Sequence, residues 1–209
     1  MDRSGKICYN TLTMGRPASF DQARTLEKIQ TEFWDRGYSA TSLDDIMTAT
    51  GLGKGSLYGA FGSKSDMYLM AFTDYCDWAI EDYEQRLRGS DGGAMARLRD
   101  LVRTAIRSRS RSRRGCMLAK GTAEVAGRFP DVDRVIERTF KALEGELLGC
   151  VRQAQRTGDI DPSRDARTIA VTLLAVLRGI EAFKRANVPS ASLELVAKGA
   201  IDILKSHSR

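Results

Sequence analysis

Histidine is almost missing from this chain: of 209 residues only His207 is one, close to the end. Histidine-dependent triads, histidine general bases and polyhistidine metal sites are therefore unavailable, and no enzyme activity is expected. Four prolines leave long stretches free to be helical. The four cysteines, at positions 8, 76, 116 and 150, form no close pairs. That argues against a zinc site or a disulfide framework and suits free thiols in the cytoplasm, with no metal or cofactor expected. No run of about 18 apolar residues exists, so no membrane span is expected. Residues 1–13 lack the apolar core of a secretory signal; positions 1–14 read as a disordered arm or a misassigned start.

What remains is a chain with 42% hydrophobic and 29% charged residues, the balance of a globular protein. Its net charge of +6 invites a polyanionic partner. The surplus lies elsewhere than the N-terminal third, however. Residues 1–66 hold eight basic and eight acidic side chains, whereas residues 97–120 hold nine basic and one acidic. The arginine-rich run 108–114 reads as a solvated loop, with a second nucleic-acid surface as the alternative. Charge alone supports DNA binding only weakly.

Apolar spacing of three and four predicts helices throughout, and no strand-like alternation is visible. Ser19 to Gln22 has capping-box spacing before Leu26, Ile29 and Phe33, and Gly37 ends that helix. Ser42 and Asp45 repeat the pattern before a short helix that stops at Gly51. A two-turn helix from Lys54 to Phe61 follows, then Ser63 and Asp66 cap a long one carrying Tyr68, Phe72, Tyr75 and Trp78. Residues 89–93 read as a linker. Further helices are expected over 94–107, 115–127 and 131–157, from Pro162 onward, and after Pro189.

Two short helices joined by a glycine turn have the geometry that lets the later helix enter the major groove while the earlier one crosses the backbone. The exposed side of that later helix would offer Lys54, Ser56 and Tyr58, with Gly55 permitting close approach and Lys64 placed to reach a phosphate. Phe61 is assigned to packing.

The segments Ala40 to Ile46 (ATSLDDI) and Thr50 to Lys64 (TGLGKGSLYGAFGSK) resemble the DNA-binding signature of the TetR, or tetracycline repressor, family. Gly15-Arg-Pro17 is also common there, and Gly115 to Leu118 resembles a stretch found in many members, less specifically. The resemblance covers roughly residues 15–70. It implies an all-α homodimer with a three-helix N-terminal helix-turn-helix domain, here 15–66, and a larger helical domain, 67–209, that binds an effector and dimerises. It implies a repressor of double-stranded DNA that lets go when a small molecule binds. The family's DNA contacts would fall on Thr41, Lys54, Gly55, Ser56, Tyr58 and Lys64. Many members place an aromatic residue and a histidine after the tyrosine; here stand Gly59 and Ala60, so two backbone contacts are missing. The alternative is a helical DNA-binding or interaction protein of the same fold without effector response.

An effector pocket would draw on Phe72, Tyr75, Trp78, Leu98, Cys116, Met117, Glu124, Phe129 and Phe140, although each also fits plain core. Cys116 follows Arg113 and Arg114, cations that favour a reactive thiolate; a small buried hydrophobe is the other reading. The nearly all-apolar run 169–177 must bury more than one face. With the stripe on the last helix it suggests a four-helix, two-fold interface formed by Ile169, Leu173, Leu174, Leu177, Leu193, Val196, Ala200 and Ile203. Such symmetry predicts a pseudo-palindromic operator.

Overall fold

The computed structural model describes residues 20–89, 93–107 and 115–205. Among them are nine α-helices and no strand: α1 (Gln22–Arg36), α2 (Leu43–Thr50), α3 (Lys54–Phe61), α4 (Lys64–Leu87), α5 (Ala94–Arg107), α6 (Met117–Val125), α7 (Pro130–Arg156), α8 (Ala166–Arg185) and α9 (Ser190–Leu204). The all-α expectation holds. The arm at 1–14, Gly15 to Pro17, the run 108–114 and His207 lie outside the described residues.

Helix starts follow side-chain chemistry closely. Ser42 and Ser63 each form the reciprocal capping box foreseen for them, with Asp45 and Asp66. Two starts differ from expectation. α1 is capped by Asp21, whose carboxylate accepts from the Arg24 N–H; Ser19 is outside the described residues. α8 begins four residues after Pro162, because Asp161 turns the chain by accepting from both the amide and hydroxyl of Ser163. Asp165 then caps the helix through the Thr168 N–H.

α1, α2 and α3 pack around Ile29, Phe33, Ile46, Leu57 and Phe61. α4 leaves this group and runs on along α7, so the expected division near residue 66 falls within the first turn of a continuous helix. α7 packs on α8, and α5 on α9, completing the larger bundle. The two parts meet in an aromatic cluster. Tyr38 lies edge-on to Tyr68 (5.2 Å) and Phe129 (5.1 Å), and Phe33 lies edge-on to Tyr68 at 5.1 Å. Such pairs contribute about 0.5–1.5 kcal/mol each beyond burial.

α6 crosses this junction at close range. Gly121 faces Phe72 and the Tyr68 hydroxyl so tightly that an added Cβ would collide with both. Only a glycine fits there.

Candidate DNA interface and effector cavity

The turn between α2 and α3 is set by Gly51, which sits in the left-handed region (φ 75°) and returns its N–H to Met47 O at 2.8 Å. Leu57 and Phe61 anchor α3 inward, confirming Phe61 as a packing residue. The opposite side of the helix is open: Lys54, Gly55, Ser56 and Gly59 are exposed, and Tyr58 is 42% exposed. A Cβ added at Gly55 or Gly59 would meet nothing within 4 Å, so neither glycine is required for packing inside the protein. Gly53, the N-cap, has no side chain to accept the first amides of α3. Amides left open at a helix N-terminus suit a phosphate oxygen, and no local excess of basic side chains is needed.

Two residues of the expected DNA-contacting set sit differently. The Thr41 side chain is fully buried, its hydroxyl donating to Gly37 O at 2.6 Å and lying 3.3 Å from Glu32 O. It tethers the chain to the C-terminal end of α1 and is not a free phosphate donor, because its one proton is committed to Gly37 O. Lys64 is half-buried with its Nζ 4.4 Å from the Tyr38 ring centre. Burial pulls its pKa down, opposed by the nearby Glu124 carboxylate.

α6 joins this surface to the larger bundle through two charged side chains. Lys120 Nζ donates to Trp34 O (3.0 Å) and Asp35 O (2.8 Å), carbonyls in the last turn of α1. One turn on, the Glu124 carboxylate accepts the N–H groups of Tyr38 (3.0 Å) and Ser39 (2.7 Å) in the loop before α2. Burial acts to raise the Glu124 pKa, but these amides and Lys120 outweigh it and hold the carboxyl below its ordinary value.

The other end of α6 opens on a cavity of about 170 Å³. Trp34, Tyr75, Trp78, Tyr83, Leu101, Leu143 and Leu177 form its apolar and aromatic walls, with Cys116, Arg178, Asp82, Arg86, Glu181 and Lys184 as polar members. Cys116 is the N-cap of α6: its Sγ accepts from the Ala119 N–H at 3.4 Å and from Arg178 Nη1 at 3.1 Å. Arg178 Nη2 donates to the Tyr83 hydroxyl at 2.9 Å. Burial works against the Arg178 charge, but Tyr83, Cys116 and Tyr75 hold its pKa above the ordinary value. Burial pushes both the Tyr83 and Tyr75 phenols up.

Of the expected effector residues, Tyr75, Trp78 and Cys116 line this cavity. The others do not. Phe72, Leu98 and Met117 are packed core, Phe140 lies partly buried against that core, Phe129 meets Tyr38 edge-on, and Glu124 holds the α1–α2 loop. The cation beside Cys116 is Arg178, sixty-two positions away, whereas Arg113 and Arg114 lie outside the described residues. No local spacing could have flagged Arg178, Tyr83 or Glu181, which the packing of α4 on α7 and α8 gathers. The remaining described cysteines, Cys76 and Cys150, are buried, and burial raises both thiol pKa values, Cys76 to about 12.

The expected pairing residues need a similar correction. Ile169, Leu173, Leu174, Leu177, Leu193 and Ala200 point into the protein's own core, and Val196 and Ile203 are half-buried. α8 and α9 must close the bundle as well as offer a face. The large apolar residues they leave exposed are Val171 (44%), Phe183 (42%) and Leu195 (70%). No helix among the described residues is long and apolar enough to cross a membrane.

A short glycine-turned helix pair, presented by a helical body with its own cavity, defines a helix-turn-helix regulator. The family described as "Bacterial regulatory proteins, tetR family" matches residues 26–71, and "Tetracyclin repressor-like, C-terminal domain" matches residues 94–198. The chain belongs to the TetR family and is a DNA-binding transcriptional regulator. It is 28% identical to the HTH-type transcriptional repressor ComR of Escherichia coli over 183 residues, 86% of this chain and 85% of ComR. It is 28% identical over 151 residues to the HTH-type regulator YezE of Bacillus subtilis, 71% of this chain and 77% of YezE. Among solved structures, a cysteine mutant of the TetR-family regulator CifR complexed with 26-base-pair operator DNA superposes with a TM-score of 0.71. It is 26% identical, over 90% of this chain and 98% of that one.

Proposed function

We propose that this regulator is a cytoplasmic homodimeric repressor whose operator contacts come from α3 and whose release is driven by a small molecule in the cavity beside Cys116. Residues 15–66 act as the reading unit and 67–209 as the sensing and pairing unit. Lys54, Ser56 and Tyr58 read or clamp the duplex, the backbone at Gly55 approaches it closely, and Lys64 swings from Tyr38 to a phosphate. Thr41 acts from below by fixing the loop that carries Ser42. The relatives support repression: ComR is named a transcriptional repressor. No catalytic step enters this reading.

The observation that carries the effector-release part is the span of α6. One nine-residue helix has Cys116 at its N-cap in the cavity wall and Lys120 and Glu124 on the frame of the reading unit. A ligand that shifts its first turn displaces the loop before α2, because Gly121 leaves α6 no slack against Phe72. Pairing through the outward faces of α8 and α9 sets two α3 helices for a pseudo-palindromic site.

The test is fluorescence anisotropy on a duplex selected from random sequence, with full-length protein. The expected outcome is tight, salt-sensitive binding to a two-fold repeat, weakened by ligands that raise the melting temperature. Binding that no cavity ligand alters would overturn release by effector and leave a DNA-binding protein of the same fold.

A further inference from the structure

We infer that the cavity selects a small monocarboxylic acid with a planar or apolar body, its carboxylate held by Arg178 and Tyr83; this rests on the reading of the cavity as the effector site.

The cavity wall carries three cations, Arg86, Arg178 and Lys184, but only two carboxylates, Asp82 and Glu181. Both carboxylates are engaged: Asp82 accepts from Arg86 Nε at 2.8 Å, and Glu181 lies 3.9 Å from Lys184 Nζ. No close ion pair joins a carboxylate to Arg178 among the described residues, and Glu181 acts on it only at longer range. The hydrogen-bond partners of Arg178 are a cysteine sulfur and a phenol oxygen, and its Nε is sealed from solvent without any acceptor. A guanidinium carries five donors and is never deprotonated in proteins, so an unmatched one at a cavity wall is a standing cost. One negative charge, presented by a planar two-oxygen group, would match it.

Tyr83 adds direction. Its oxygen receives the Arg178 N–H, so its own proton must point elsewhere and can serve a second acceptor. Arg178 and Tyr83 thus offer donors to one anion from α8 and α4.

Size and lining define the rest of the ligand. At about 170 Å³ the cavity lies below the usual range for drug-sized ligands, and close to an engineered apolar cavity of about 150 Å³ that admits benzene. Trp34 and Tyr75 meet edge to face at 4.8 Å, and Trp78 lies against Tyr75, giving flat apolar walls. A single ring or a short unsaturated chain fits such walls. Bulky or multiply charged anions do not, since the wall has one unmatched cation.

Benzoate, phenylacetate and cinnamate, each paired with its neutral amide, test this on the full chain by melting temperature and by operator anisotropy. The acids should raise the melting temperature of the wild type and bind at least tenfold more tightly than their amides. Arg178→Gln should abolish the acid response while the ligand-free protein still melts cooperatively and still binds the amides, which separates loss of the charge from loss of the fold. Tyr83→Phe, which keeps the ring, should weaken the acids and leave the amides unchanged. The inference is overturned if no acid binds, if amides bind as well as acids, or if Arg178→Gln retains the preference. Amides or thiol-alkylating compounds that release DNA where acids fail would sink the ligand class and keep the effector reading. Acids that bind with the expected preference but never alter operator affinity would do the reverse.

Discussion

Glu124 accepts the backbone N–H of Ser39 at 2.7 Å, tying α6 to the loop that launches the helix-turn-helix. The same carboxylate takes the Tyr38 N–H, and Gly37 sits so close that a Cβ there would strike it. Gly37 also has a φ of 92°, which other residues rarely adopt. Loop and carboxylate are therefore fitted to each other.

Glu124→Gln keeps one acceptor and turns the other into a donor facing an N–H. The site is partly solvated, so the expected loss is modest, about 1 kcal/mol at neutral pH. The pH dependence has a fixed sign. The folded carboxyl titrates below its ordinary value of 4.5, so its contribution is present above that pH and fades as pH falls through the depressed value. Thermal melts of both proteins should diverge near neutrality and converge in acid. A difference that grows on acidification would contradict the assignment. The variant should also need more ligand to release DNA.

Much of this interface was readable in the sequence and the cavity largely was not, for a physical reason. Capping boxes, glycine stops and the exposed face of α3 depend on residues within about one helical turn of each other, and Ser42, Gly51 and Lys54 announce them locally. Arg178, Cys116 and Tyr83 meet only because α4, α6 and α8 pack together. An apolar stripe likewise cannot say which of two neighbours it faces. Leu173 and Leu193 looked available to a partner, yet the bundle itself consumes them, and the outward residues are the fewer and less regular Val171, Phe183 and Leu195.

Gly55 separates folding from recognition. An alanine there meets nothing within 4 Å, and in a helix interior alanine is favoured over glycine by about 1 kcal/mol. Gly55→Ala should raise the melting temperature slightly while weakening operator binding severalfold, because the added methyl holds the backbone off the duplex. Unchanged affinity in anisotropy titrations would remove Gly55 from the contact surface.

Lys64 tests the phosphate contact. In the DNA-free protein its ammonium lies over Tyr38, an interaction contributing about 0.5–1 kcal/mol at partly exposed sites. Lys64→Ala should lower affinity similarly for all duplexes and flatten the logarithmic salt dependence by about 1 per protomer bound. Equal losses at low and high salt would argue that the lysine only packs on the ring.

Paired substitutions on α8 and α9 distinguish the inward face from the pairing face. Leu173 is buried in the protein's own core, and Leu173→Ala should cost about 2–5 kcal/mol of stability in denaturant melts. Leu195 is 70% exposed, so a charge there costs a lone protomer almost nothing. In a two-fold dimer the Leu195→Glu change occurs twice across one interface and places carboxylates in an apolar contact. Sedimentation should then show a folded species of half the mass, with operator affinity reduced by orders of magnitude as the second half-site is lost. A Leu195→Glu protein that sediments like the wild type would move the pairing surface off the exposed face of α9.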